Sequence, residues 1–296
     1  MRLNAFLLTA VSFTAAYATE NDCSIYPICV ETVMPGALPD AGQSVFLEYT
    51  DFYRASALAD GKGRNVVPGF HLAVNAFALR IMHNWGVHAL GGTLVSSVAL
   101  PFLDMQLEGP FGKDHQTGLG NTDLGLYVAY GKGPWHWWYG LDGSLPGPEY
   151  NKSDLLHVGQ HNLATALSGA ISYLPGHAQT EISSKFEYIR NFTDPATFYR
   201  SGDEFIWEYA AMRNVAGKLA LGLNGYFYRQ VTDDLENRYI VDNGNRGQTV
   251  ALGPQVRYAL GRAALILKYQ REMLVENRAV GNSLWFEIGV PVGRRD

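Results

Sequence analysis

Long apolar runs are what this chain most lacks. After residue 18, none of its 296 residues belongs to an uninterrupted apolar stretch long enough for a membrane helix, which needs about 18–20. A helical membrane protein is therefore excluded. Cysteine is scarce: Cys23 and Cys29 are the only two, too few for a fold built on disulfides. Charged residues make up 17%, below the usual quarter or so. The basic residues are not clustered and the net charge is −5, so nothing points to a nucleic-acid partner. No nucleophile elbow, H-E-x-x-H, phosphate loop or dinucleotide fingerprint occurs, so neither an enzyme nor a cofactor is expected.

What remains is an exported, aromatic-rich and glycine-rich chain. Arg2, the apolar residues from Ala5 to Phe13 and the small-x-small site Ala16-Tyr17-Ala18 read as a cleaved signal peptide over 1–18. Residues 19–42 then form a periplasmic N-terminal segment, whose position and length would also let it reach into the periplasmic mouth as a plug, and 43–292 the main domain. Cys23 and Cys29 sit close together in an exported segment, a spacing that suggests a disulfide staple.

From about residue 43 the chain divides into some twelve alternating segments of about 10–15 residues, too long for globular strands but suited to tilted membrane strands. They fall near 43–54, 66–81, 87–100, 119–130, 135–145, 161–173, 178–191, 202–213, 218–230, 247–259, 263–275 and 281–291. The Ala- and Val-rich stretch from His71 to Ile81 also fits a helix. Short turns are expected at 83–86, 131–134, 175–177, 215–217 and 260–262. Longer polar loops, such as 101–118, 146–160 and 231–246, lie between them. Short turns on one side and long loops on the other describe an antiparallel up-and-down transmembrane β-barrel of about 12 strands, all-β and lodged in outer-membrane lipid. Tyr130, Trp135, Tyr173 and Tyr258 fall at turn-side ends, where a membrane interface favours amphipathic rings.

Successive side chains in a strand point to opposite faces. Alternation therefore assigns Asp123, Tyr127, Trp138, Glu181, Lys185, Glu187, Glu204, Glu208, Lys218, Tyr226, Tyr228, Gln230, Arg257, Lys268, Glu272, Trp285 and Glu287 to the lumen. Charged groups in a small lumen must be paired or hydrated; they either plug the barrel or line a wet path. His157 and His161 lack an evident third ligand, and no metal site is assigned to them. Asp203-Glu204 with Asp233-Asp234 have the chemistry for a calcium ion but read as solvated loop-end charges.

Three stretches resemble a known family. The first runs from Gly118-Leu119-Gly120 through Thr122-Asp123-Leu124-Gly125 to Trp135-His136 and Leu145-Pro146. The second is Tyr199-Arg200-Ser201-Gly202-Asp203-Glu204-Phe205, followed by Gly225-Tyr226 and Thr232-Asp233-Asp234. The third joins Leu252-Gly253-Pro254-Gln255 to Lys268-Tyr269-Gln270 and Glu276-Asn277-Arg278. Together, over about 118–290, they resemble outer-membrane proteins of the MetA pathway of phenol degradation. The resemblance implies a barrel that helps small hydrophobic, often aromatic, compounds cross, and it supplies no catalytic residue. Two other readings stay open: a structural barrel with a plugged lumen, and an outer-membrane lipid hydrolase, for which no outward Ser–His pairing is apparent. Nothing in the sequence speaks to oligomeric state.

Overall fold

A computed structural model describes residues 24, 26–148, 150–151 and 153–293. The expected signal peptide, its cleavage site and Cys23 lie outside them.

The strands are β1 (Ser44–Leu58), β2 (His71–Ala89), β3 (Gly92–Gly109), β4 (Gly112–Leu119), β5 (Thr122–Lys132), β6 (Trp135–Leu145), β7 (Ala164–Tyr173), β8 (Thr180–Asn191), β9 (Tyr199–Arg200), β10 (Glu204–Ala216), β11 (Leu219–Gln230), β12 (Leu235–Glu236), β13 (Tyr239–Ile240), β14 (Gln248–Leu260), β15 (Ala263–Glu276) and β16 (Ala279–Val292). A single helical turn, α1 (Pro175–Ala178), links β7 to β8. All pairings are antiparallel, those of the barrel run between successive barrel strands, and β1 against β16 closes the ring. β4 and β5 are halves of one barrel strand, interrupted at Gly120-Asn121, which makes the closed barrel 12-stranded. β9, β12 and β13 form a small sheet in the loops over one mouth.

Alternation shapes the wall. On β15, Leu265, Leu267 and Tyr269 face out and are exposed, while Lys268 and Gln270 face in and are buried. On β16, Leu284, Phe286, Ile288, Val290 and Val292 face out. Four two-residue steps along a tilted strand span roughly 20–25 Å, the height of a lipid-facing apolar band. Glu48 breaks this band opposite Ile288, where its carboxylate accepts from Thr50 at 2.5 Å. Around the mouth with tight turns runs an aromatic girdle: Trp135 packs on Tyr173 and Tyr130 stacks on Trp137 and Tyr139. Turns of two residues at 90–91, 133–134, 217–218 and 261–262 mark this rim as periplasmic. Gly133, Gly217 and Gly261 take positive φ there, at no steric cost. The opposite rim carries the loops 59–70, 146–163, 192–203 and 231–247. In the first of these, Arg64 hydrogen-bonds Asp60 and holds its carboxyl down at about 2.

Two expectations need correcting. The turn expected at 83–86 lies inside β2, which continues through an irregularity between Asn84 and His88 and turns at Leu90-Gly91. The polar stretch 101–118 is not a loop. It is the extended hairpin of β3 and β4, turning at Pro110-Phe111. Its outward residues (Asp104, Gln106, Glu108, Lys113, His115, Thr117) are polar because the hairpin stands above the apolar band, so it lacks the lipid-facing half of the strand signature.

The facing is testable. Leu221→Arg or Leu267→Arg puts a cation on the lipid wall and is expected to cost about 2–4 kcal/mol in urea-unfolding titrations from lipid vesicles. Wild-type stability in both variants would mean a one-residue error of register.

Candidate functional site

Residues 24 and 26–42 do not extend into the periplasm. They thread the lumen, entering at the periplasmic mouth, where Asn84 donates to the Pro39 carbonyl at 2.7 Å. Higher up, Trp138 Nε1 donates to the Pro35 carbonyl (2.6 Å) and the Gly36 N–H to Ser172 Oγ (2.9 Å). A Cβ on Gly36 would lie 2.4 Å from the His136 carbonyl, so no larger residue fits. The Met34 N–H donates to Glu181, which is paired with Arg257 at 2.7 Å.

At mid-barrel, Glu31 inserts its carboxylate between Arg80 and Lys185, and Lys185 also pairs with Glu187 at 2.6 Å. Lys185 Nζ lies 4.1 Å above the Tyr26 ring and donates to its hydroxyl. On the other side the Cys29 N–H donates to Glu208. Lys268 donates to the Cys29 and Val30 carbonyls, pairs with Glu287 and sits 5.0 Å from the Trp285 ring. Segment and wall thus supply each other's ionic and hydrogen-bond partners among buried side chains. Cys29 is buried, 3.7 Å from Asn224 Oδ1; its expected pairing with Cys23 concerns a residue outside those described.

Most of the residues assigned to the lumen face it. Asp123 lines a small cavity of about 70 Å³ with Arg80 and Asp142. Tyr127 donates to Asp142 and accepts from Arg80. Glu204 accepts from Asn191, Tyr226 donates to Glu272, and Gln230 donates to Asp234. Tyr228 packs under Arg278 at 4.2 Å and Trp285 donates to Gln270. Lys218 is the correction: it occupies the exposed Gly217-Lys218 turn, because strand parity does not carry past the strand end. Sequence reasoning missed Glu31, Tyr26, Arg80 and Asp142. Arg80 was legible, since it alternates with Leu79 and Ile81.

Above the segment, toward the long loops, opens a vestibule of about 230 Å³. Tyr26, Pro27 and Val30 form its floor. Leu72, Val74, Leu103, Met105 and Val158 give one apolar wall, and Tyr49, Tyr53, Tyr226 and Trp285 an aromatic one. Asp51, Glu272 and Arg278 are its polar handles, with Tyr53 already donating to Glu272 at 2.9 Å.

The loop acids do not converge. Asp203 accepts from Tyr188, Asp233 pairs with Arg246, Asp234 takes Tyr199 and Gly202, and Glu204 turns into the lumen. Among the described residues no His/Cys/Asp/Glu group could hold a metal ion. His157 and His161 both stack on Tyr150. One outward Ser–His contact, unforeseen in the sequence, exists at the periplasmic rim: Ser44 Oγ lies 2.9 Å from His83 Nδ1. No hydrogen bond from a described residue orients the other ring nitrogen, as a hydrolytic triad requires.

A family described as "Putative MetA-pathway of phenol degradation" matches residues 55–288. No curated protein matches the sequence. Among solved structures, an outer membrane channel from Pseudomonas putida F1 aligns with TM-score 0.76 at 16% identity, over 86% of this chain and 97% of that one. The transport unit of the autotransporter AIDA-I from Escherichia coli aligns with TM-score 0.51 at 10% identity, over 90% and 95%. Such likenesses establish the fold.

Proposed function

The chain belongs to the family of the MetA pathway of phenol degradation, and we propose that it is an outer-membrane channel admitting small hydrophobic, aromatic compounds through the extracellular vestibule. The observation that carries this reading is the vestibule itself. Its volume of about 230 Å³ exceeds the roughly 150 Å³ of an engineered apolar cavity that takes up benzene. A phenol-like ring rests on Leu103 and Met105, stacks beside Trp285 or Tyr49, and offers its hydroxyl to Asp51 or Glu272. Apolar walls with a few placed polar groups are the usual make-up of a small-molecule site. The buried carboxylates of the lumen outnumber its cations, which disfavours anions. The similar Pseudomonas putida structure is described as an outer membrane channel.

Phenol or toluene titrated into purified protein is expected to change Trp285 fluorescence saturably. Leu103→Asp should weaken that binding at least tenfold with the barrel intact. A gene deletion is expected to slow uptake of dilute aromatic compounds and leave sugar uptake unchanged. Unsaturable fluorescence together with unaltered aromatic uptake would overturn the reading. The filled lumen favours one alternative, a closed structural barrel; saturable aromatic binding together with slowed aromatic uptake in the deletion strain separates the two.

A further inference from the structure

The outer wall carries a second concavity, on the lipid side of the sheet. Five strands change character there within one two-residue step. Outward Phe102, Phe77, Phe52, Leu284 and Tyr269 are exposed rings or alkyl chains. The next outward residues toward the long loops are Asp104, Asn75, Arg54, Asn282 and Arg271. The register sets them side by side: Asp104 against Asn75, Arg54 against Asn282, and Asn282 against Arg271. This polar row therefore stands where the apolar band ends, at the level of the outer-leaflet headgroups. A groove of about 820 Å³ is lined by Arg54, Asn282 and Lys113 among others, with Arg271 outside it.

Charge decides what fits. Asp104 is engaged by Asn75, His115 and Thr117, and Glu108 by Lys113 at 2.6 Å. Arg54 donates to the Tyr53 and Val74 carbonyls and to Asn75 Oδ1, all neutral oxygens. That leaves about two of the five guanidinium N–H groups for a ligand. Neither Arg54 nor Arg271 is ion-paired among the described residues. Two strand spacings part their backbones by about 10 Å. Guanidinium groups bind phosphate in a bidentate fork.

We propose that the outer-wall row centred on Arg54 and Arg271 binds the phosphate groups of the phosphorylated glycolipid in the outer leaflet. The site tethers the extracellular half of the β1–β16 region to that leaflet and does not depend on what the lumen carries.

The test compares wild type with the double variant Arg54→Gln, Arg271→Gln, and with Arg262→Gln in a periplasmic turn as the charge-matched control. Each is purified in mild detergent, checked for heat-modifiable migration, and titrated with lipopolysaccharide under native mass spectrometry. The expected result is stoichiometric binding by wild type and control, with at least a tenfold loss in the double variant. Dephosphorylated lipopolysaccharide should bind wild type no better than the variant, and millimolar inorganic phosphate should not displace the intact lipid. Equal retention by wild type and double variant overturns the proposal. So does undiminished binding of the dephosphorylated lipid, or displacement by inorganic phosphate, which marks a site for any anion. If the double variant does not fold, Arg54→Lys with Arg271→Lys replaces it, with an expected weakening through loss of the bidentate fork.

Discussion

Deleting residues 24–38, with the export signal joined directly to residue 39, is expected to turn a barrel that passes almost no current into one with stepwise conductance in planar bilayers. The segment removed contributes Glu31, the Cys29 and Val30 carbonyls and the Tyr26 ring to the lumen. Its loss leaves Arg80, Lys185 and Lys268 facing empty space, which water then fills. Hydration substitutes for the lost partners, so the wall survives: an ionic group stranded in a dry interior is costly, whereas the same group in a wet pore is not. The truncated protein should therefore keep heat-modifiable migration while admitting ions. Indistinguishable currents in wild type and deletion would show that the segment does not occlude the barrel.

The second large effect comes from Lys185. This ammonium is buried and serves Glu31, Glu187 and the Tyr26 hydroxyl together. Lys185→Met removes one cation from between two carboxylates and should cost about 3–5 kcal/mol, the usual penalty for breaking a buried pair from one side. Adding Glu187→Gln should recover part of the loss, because the two changes are coupled through one contact. Lys62→Met, in an exposed loop, is the control and should stay within about 0.5 kcal/mol of wild type. Urea unfolding from vesicles measures all three. A Lys185→Met value as small as the control's would mean that water already reaches this site.

Several strands were legible because each carries the whole membrane signature. β6 coincides with the expected 135–145, and β15 and β16 follow from Leu265, Leu267, Leu284, Phe286 and Ile288 alternating with Lys268, Gln270 and Glu287. The β2–β4 region was not, because above the band the alternation changes sense: outward Asp104, Gln106 and Glu108 are polar while inward Leu103, Met105 and Leu107 are apolar, so the stretch lacks the lipid-facing wall. Lumen residues could be assigned from parity alone, since facing is a local property. Their partners could not. Lys268 meets Cys29 239 positions away in the chain, and no periodicity in residues 24–42 announces that Glu31 belongs between Arg80 and Lys185. Whether a lumen is wet or filled depends on such distant pairings.

The ring closes where β1 meets β16 along 14 residue pairs. The filling of that ring directly precedes β1 in the chain. The first part of the main chain to be synthesised and the last are thus needed together, which gives the barrel the longest-range closure its topology allows. Contacts of such separation form late and slowly. Until then Lys185, Glu187, Lys268 and Glu287 face an open trough and keep their water. Sealing the seam expels that water as residues 26–34 settle among the charges. Insertion into the membrane and drying of the interior are therefore successive events. An assembly intermediate should exist that already spans the bilayer with a wet interior, its N-terminal segment still open to proteases that the finished protein resists.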